Sequence, residues 1–128
     1  MNRRLIPSLI VLLLFPVAAS VASAHESAIR TMATITLHLN HYPNAAELRQ
    51  LEAIDRQATS AEIHTLARAL LHMRHTVQAE DAQALRRLAS DAHASQPARE
   101  LASILLGIQH HPSASDRQRL KALIEGDD

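Results

Sequence analysis

Histidine is the one abundant side chain in this 128-residue sequence whose chemistry could go beyond packing and solvation: there are nine, with no cysteine and no tryptophan. His38 and His41 stand three residues apart, and His72 and His75 repeat that pair 34 residues later. On a helix, residues at that spacing are surface neighbours. Imidazole suits copper and zinc, so His38, His41, His72 and His75 form the candidate metal set. In the third copy the corresponding residues are Gly107, His110 and His111. His41, His75 and His110 also have a plainer account. Each falls where a helix should end, and a cation or ring N–H there meets orphan carbonyls and the negative end of the dipole. Neighbouring helices pack about 8–10 Å apart. The same histidine on two adjacent helices is therefore expected at the outer edge of shared coordination. A site made of one pair alone would need water or another side chain to finish it.

Other chemistry finds little footing. The two glycines, Gly107 and Gly126, give no phosphate-cradling loop, and no serine sits in a Gly-x-Ser-x-Gly setting. Carboxylates are scattered singly. The chain is read as non-enzymatic.

What must position the histidines is a phrase repeated three times: His41-Tyr42-Pro43-Asn44, His75-Thr76-Val77-Gln78 and His110-His111-Pro112-Ser113. With offsets of 34 and 35, Met32, Leu66 and Leu101 coincide, and so do Ala33, Ala67 and Ala102. Downstream of the phrase, Leu51, Leu85 and Leu120 coincide. A period in this range marks stacked two-helix units. Pro43 and Pro112 cannot continue a helix. Asn44 and Ser113 are good N-caps for the next one, with Glu47 and Asp116 at the acidic position of a capping box. Gln78 is a poor cap, so the middle joint is expected to be the weakest.

The first 24 residues read as a secretory signal peptide. Arg3 and Arg4 precede an apolar stretch from Leu5 to Phe15, and Ala22-Ser23-Ala24 is a small-residue cleavage site. The expected compartment is periplasmic or secreted, with no membrane attachment once the peptide is cut. The mature chain, residues 25–128, keeps all nine histidines and has 11 basic against 13 acidic residues. That balance gives no electrostatic case for nucleic acid. If cleavage follows Ala24, the mature chain begins with His25, whose amine and ring can together chelate one metal ion.

The prediction is an all-α fold of three stacked αα-hairpin repeats of about 34–35 residues, units 26–59, 60–94 and 95–128. A short α-solenoid and a six-helix bundle both fit. Helices are expected over about Ser27–Asn40, Ala45–Gln57, Ala61–Arg74, Ala79–Ala92, Ser95–Gln109 and Ala114–Glu125, with no strand. In period and in the pairs Leu66-Ala67 and Leu101-Ala102, the mature chain resembles tetratricopeptide-like repeats, although the aromatics of that pattern are absent. The resemblance implies a groove that binds a peptide or protein. Equivalent positions along such a face include Arg30, His64 and Arg99, then Arg68. The basic residues Arg86, Arg87, Arg117, Arg119 and Lys121 read as a solvated face. The leading functional expectation is an exported interaction module that binds a periplasmic protein or peptide through Arg30, His64, Arg68 and Arg99. The alternative is a His-based copper or zinc carrier.

Overall fold

The structure, a computed structural model, describes residues 17–126; the basic and apolar parts of the leader, Arg3 to Phe15, lie outside them. Six helices follow in order: α1 (Val17–Leu37), α2 (Ala45–Gln57), α3 (Ala61–Leu71), α4 (Ala79–Ser90), α5 (Gln96–Gly107) and α6 (Ala114–Glu125). There is no strand among the described residues. None of these helices is long and apolar enough to cross a membrane.

Local chemistry accounts for most of the boundaries. Asn44 accepts from the Glu47 backbone N–H at 2.8 Å, and the Glu47 carboxylate takes the Asn44 N–H at 2.9 Å, a complete capping box. Ser60, Ser95 and Ser113 cap α3, α5 and α6 with their hydroxyls. Gln78 makes no side-chain cap bond to α4, as its chemistry predicts. The bounds of α2 and α6 agree with the expected ones. The helix α1 begins upstream of the expected Ser27, because the Ala- and Ser-rich stretch from Val17 offers nothing to stop it. The helices α1, α3 and α5 end two or three residues sooner than expected. Leu39, Met73 and Ile108 extend the apolar spacing, and each is buried, but in the joint after the helix.

The repeat builds the core by equivalence. Met32, Leu66 and Leu101 are fully buried, as are Leu51, Leu85 and Leu120. Burying each of these is worth about 1.5–3 kcal/mol. Ala33, Ala67 and Ala102 are also fully buried on α1, α3 and α5, which all touch one another. A methyl group at these three places lets the helices approach closely. Among the described residues Thr36 is the one buried polar side chain, standing where Leu70 and Leu105 stand in the other units, and its hydroxyl donates to the Met32 carbonyl at 2.7 Å.

Each of α2, α4 and α6 packs most extensively on the helix that follows it around the molecule: α2 on α3, α4 on α5, and α6 back on α1. Of the two architectures compatible with the spacing, the chain adopts the bundle, and it is a closed one with pseudo-threefold order. An open stack would leave its two ends unpaired. Here the last helix covers the first, and α1, α3 and α5 form a central triangle with all three joints at one end.

Candidate metal centre at the convergence of the three joints

Each joint makes a tight turn at its histidine. His41, His75 and His110 have φ of 71°, 66° and 67°, and apart from Gly126 they are the only described residues with a positive φ. The Thr76 N–H donates to the Arg74 carbonyl and the His111 N–H to that of Gln109, both at 2.7 Å. These are three-residue turns with a histidine at the strained centre. The left-handed region costs a non-glycine residue about 1–2 kcal/mol, so three such residues need support.

The support comes from the other joints. The His41 N–H donates to the His110 carbonyl at 2.6 Å, His110 to His75 at 2.7 Å, and His75 to His41 at 2.8 Å. The three bonds close a ring of backbone on the pseudo-threefold axis. It ties together residues 34 and 35 positions apart in sequence, and the first joint to the last.

The same ring sets the side chains. The Nδ1 atoms of His41 and His75 are 3.0 Å apart, and each is 3.1 Å from Nδ1 of His110. The rings stand edge to face, with centroids 4.9–5.0 Å apart and interplanar angles of 71–76°. His41 is half-buried and the other two are exposed. Three ring nitrogens pointing at one another cannot satisfy themselves. A neutral imidazole has one donor and one acceptor nitrogen. Whichever Nδ1 atoms carry a proton, at least one side of the triangle sets lone pair against lone pair or N–H against N–H. A cation on the axis would accept all three lone pairs at once. With metal–nitrogen bonds of about 2.0–2.1 Å, a tetrahedral ion spreads three nitrogens about 3.3 Å apart. The observed triangle is within a few tenths of an ångström of that. His75 and His110 are exposed, so an ion there would be within reach of solvent.

The expected metal set is thus divided by the fold. His41 and His75 join His110. His38 instead sets its Nδ1 3.0 Å from the Thr34 carbonyl one turn back, and His72 sets its Nδ1 2.9 Å from Asp81. Neither belongs to the three-histidine group. The expected helix-to-helix spacing of the equivalent histidines did not apply, because these residues sit beyond the helix ends. A turn can swing a side chain to the axis, where a helix flank cannot. Nor do the rings of the joint histidines cap carbonyls, since it is their backbone N–H groups that do the bonding. The usable signal was the third copy: one histidine recurs at all three joints while the residues on either side of it vary.

The residues expected on a partner-binding face are placed separately. Arg30 pairs with Glu26 one turn away at 2.7 Å, and His64 meets the Asp55 carboxylate. Arg68 is exposed, and Arg99 is half-buried with an Nε that has no partner. Arg30, His64 and Arg99 lie on α1, α3 and α5, so the pseudo-threefold turns them to three sides of the bundle. No family model, curated protein or solved structure matches this chain.

Proposed function

We propose that this chain is an exported metal-binding protein that holds one zinc or copper ion on His41, His75 and His110. The observation that carries this reading is the triangle of Nδ1 atoms with sides of 3.0–3.1 Å. The choice of residue supports it further. Glycine adopts a positive φ at no steric cost, and asparagine is the next most tolerant. A joint needing only a turn would be cheaper with either, yet all three carry imidazole at an exposed or half-exposed place. Three neutral nitrogens suit zinc and copper rather than calcium or magnesium, which prefer oxygen. A three-ligand site open to solvent fits an ion that is taken up and handed on.

Export is supported by where the fold begins. Residues 21–24 are exposed, and no described residue before Ala28 takes part in the core. Cutting after Ala24 would leave every described residue of the core and every histidine in place. The interaction-module reading finds less support, because the closed ring offers no continuous face lined by Arg30, His64 and Arg99.

The test is titration of the chain with zinc and, separately, with copper(II), against His75→Asn. Asparagine tolerates the turn but offers no imidazole nitrogen. One equivalent more bound by the wild type than by the variant is the expected result. Equal binding by both, or none by the wild type, overturns the reading.

A further inference from the structure

The opposite end of the bundle carries a second set of groups that the three-histidine centre leaves unused. His25 is the first residue along the described part of α1 whose side chain is not exposed. Its Nε2 lies 2.8 Å from the Glu62 carboxylate on α3. Glu62 is itself held, since the Ser95 N–H and the Ser95 hydroxyl both donate to it at 2.9 Å. One carboxylate therefore fixes the ring of His25 against the start of α5. Among the described residues, the other ring nitrogen, Nδ1, has no hydrogen-bond partner. Clefts of about 410 and 440 Å³ flank His25, one between α1 and α2 and the other toward α5 and α6.

We infer that, once the leader is removed after Ala24, the free α-amine and Nδ1 of His25 bind copper(II), with Glu62 as the residue that orients the ring. The inference rests on the export reading but not on the three-histidine centre. Cleavage turns an amide nitrogen of α1 into an amine beside an imidazole on the same residue, a chelate that does not exist before processing. A ligating histidine commonly gives its other N–H to a carboxylate, which fixes the tautomer and raises the basicity of the coordinating nitrogen. The contact from Nε2 to Glu62 is that arrangement, and it leaves Nδ1 as the acceptor. Copper(II) is the strongest taker of nitrogen donors among the divalent first-row ions. Water completes the coordination from the clefts. The helix from His25 to Leu37 rises about 18 Å at roughly 1.5 Å per residue, so this ion and one at the joints would be separate.

The experiment expresses the full chain with His41, His75 and His110 all changed to Asn, so that copper at the joints does not contribute. Intact mass of the exported protein should correspond to a chain starting at His25, and circular dichroism should be that of the parent. Copper(II) should bind with one equivalent and a nitrogen-rich electron paramagnetic resonance spectrum. Glu62→Gln should weaken it about tenfold or more. Acetylation of the α-amine, and His25→Gln, should each lose the site. A different amino terminus, or affinity that is unchanged by acetylation or by His25→Gln, overturns the inference. Loss of metal from the joints alone would leave it standing.

Discussion

The two ends of the bundle are built on opposite plans. At the joint end, three copies of one turn meet on the axis, and the same atom of the same residue type comes from each unit. At the other end, one unit begins unlike the other two: α3 and α5 start at capping serines, whereas α1 runs on upstream through His25. The cluster there, His25 with Glu62 and Ser95, takes unlike residues from α1, α3 and the cap of α5. Repetition therefore produces a symmetric ligand set where the chain closes on its axis, and a one-off site where one unit departs from the pattern.

The comparison can be broken most forcefully in the core that makes the joints converge. Leu85→Ala, in a fully buried position equivalent to Leu51 and Leu120, should cost about 2–5 kcal/mol in chemical denaturation. Leu51→Ala and Leu120→Ala should cost about as much, if the three units share the load. A loss confined to one of them would mean the threefold order is only geometric.

Zinc should act next most strongly, through the joint end. With zinc at about a hundred times its Kd, the folded state gains about 2.7 kcal/mol, seen as a rise in Tm that a chelator reverses. In His75→Asn that rise should vanish. His75→Gly sharpens the point, since without metal it should be neutral or stabilising by up to about 1 kcal/mol through relief of the positive φ. A clear loss of metal-free stability would instead show that the imidazole serves the fold.

Within the joints the caps are unequal. Asn44→Ala should cost about 1 kcal/mol, whereas Gln78→Ser should stabilise by somewhat less, because α4 lacks any side-chain cap. Thermal melts of the two variants should move in opposite directions.

The smallest expected effect belongs to the opposite end and depends on pH. Burial of Glu62 pushes its carboxyl up, but the Ser95 N–H, His25 and the Ser95 hydroxyl together outweigh that and hold it below its ordinary value of 4.5. A depressed carboxyl stabilises the fold above that value and loses the contribution as pH falls through its folded value. The stability difference between wild type and Glu62→Gln should accordingly shrink as pH drops from above 4.5 through the carboxyl's lower folded value. A difference that grows on acidification would contradict the hydrogen-bond geometry.

Much of this was legible without coordinates. The offsets of 34 and 35 placed Leu51, Leu85 and Leu120 in register, and all three are buried. Asn44 and Ser113 announced their helices, and Gln78 announced its weakness. These are local signals, in which a cap, a proline or an apolar spacing acts within one or two turns and can be read from neighbours in the chain. The helix ends at Leu37, Leu71 and Gly107 were not legible, because buried Leu39, Met73 and Ile108 continue the apolar pattern through a turn.

The sequence by itself determined the unit: two helices, a joint with histidine at its centre, and three copies of it. Only the tertiary structure decided that the copies close on themselves. Whether α6 meets α1 depends on the angle each pair makes with the next, which accumulates over the whole chain and is encoded in no single residue. Closure brings the last joint to the first, completes the ring of backbone bonds, and sets three imidazoles about 3 Å apart. The i, i+3 pairs drew attention to His38 and His72 because neighbours on one helix are all a linear reading can see. The set that converges spans 69 residues between His41 and His110, a proximity that only the closed ring supplies.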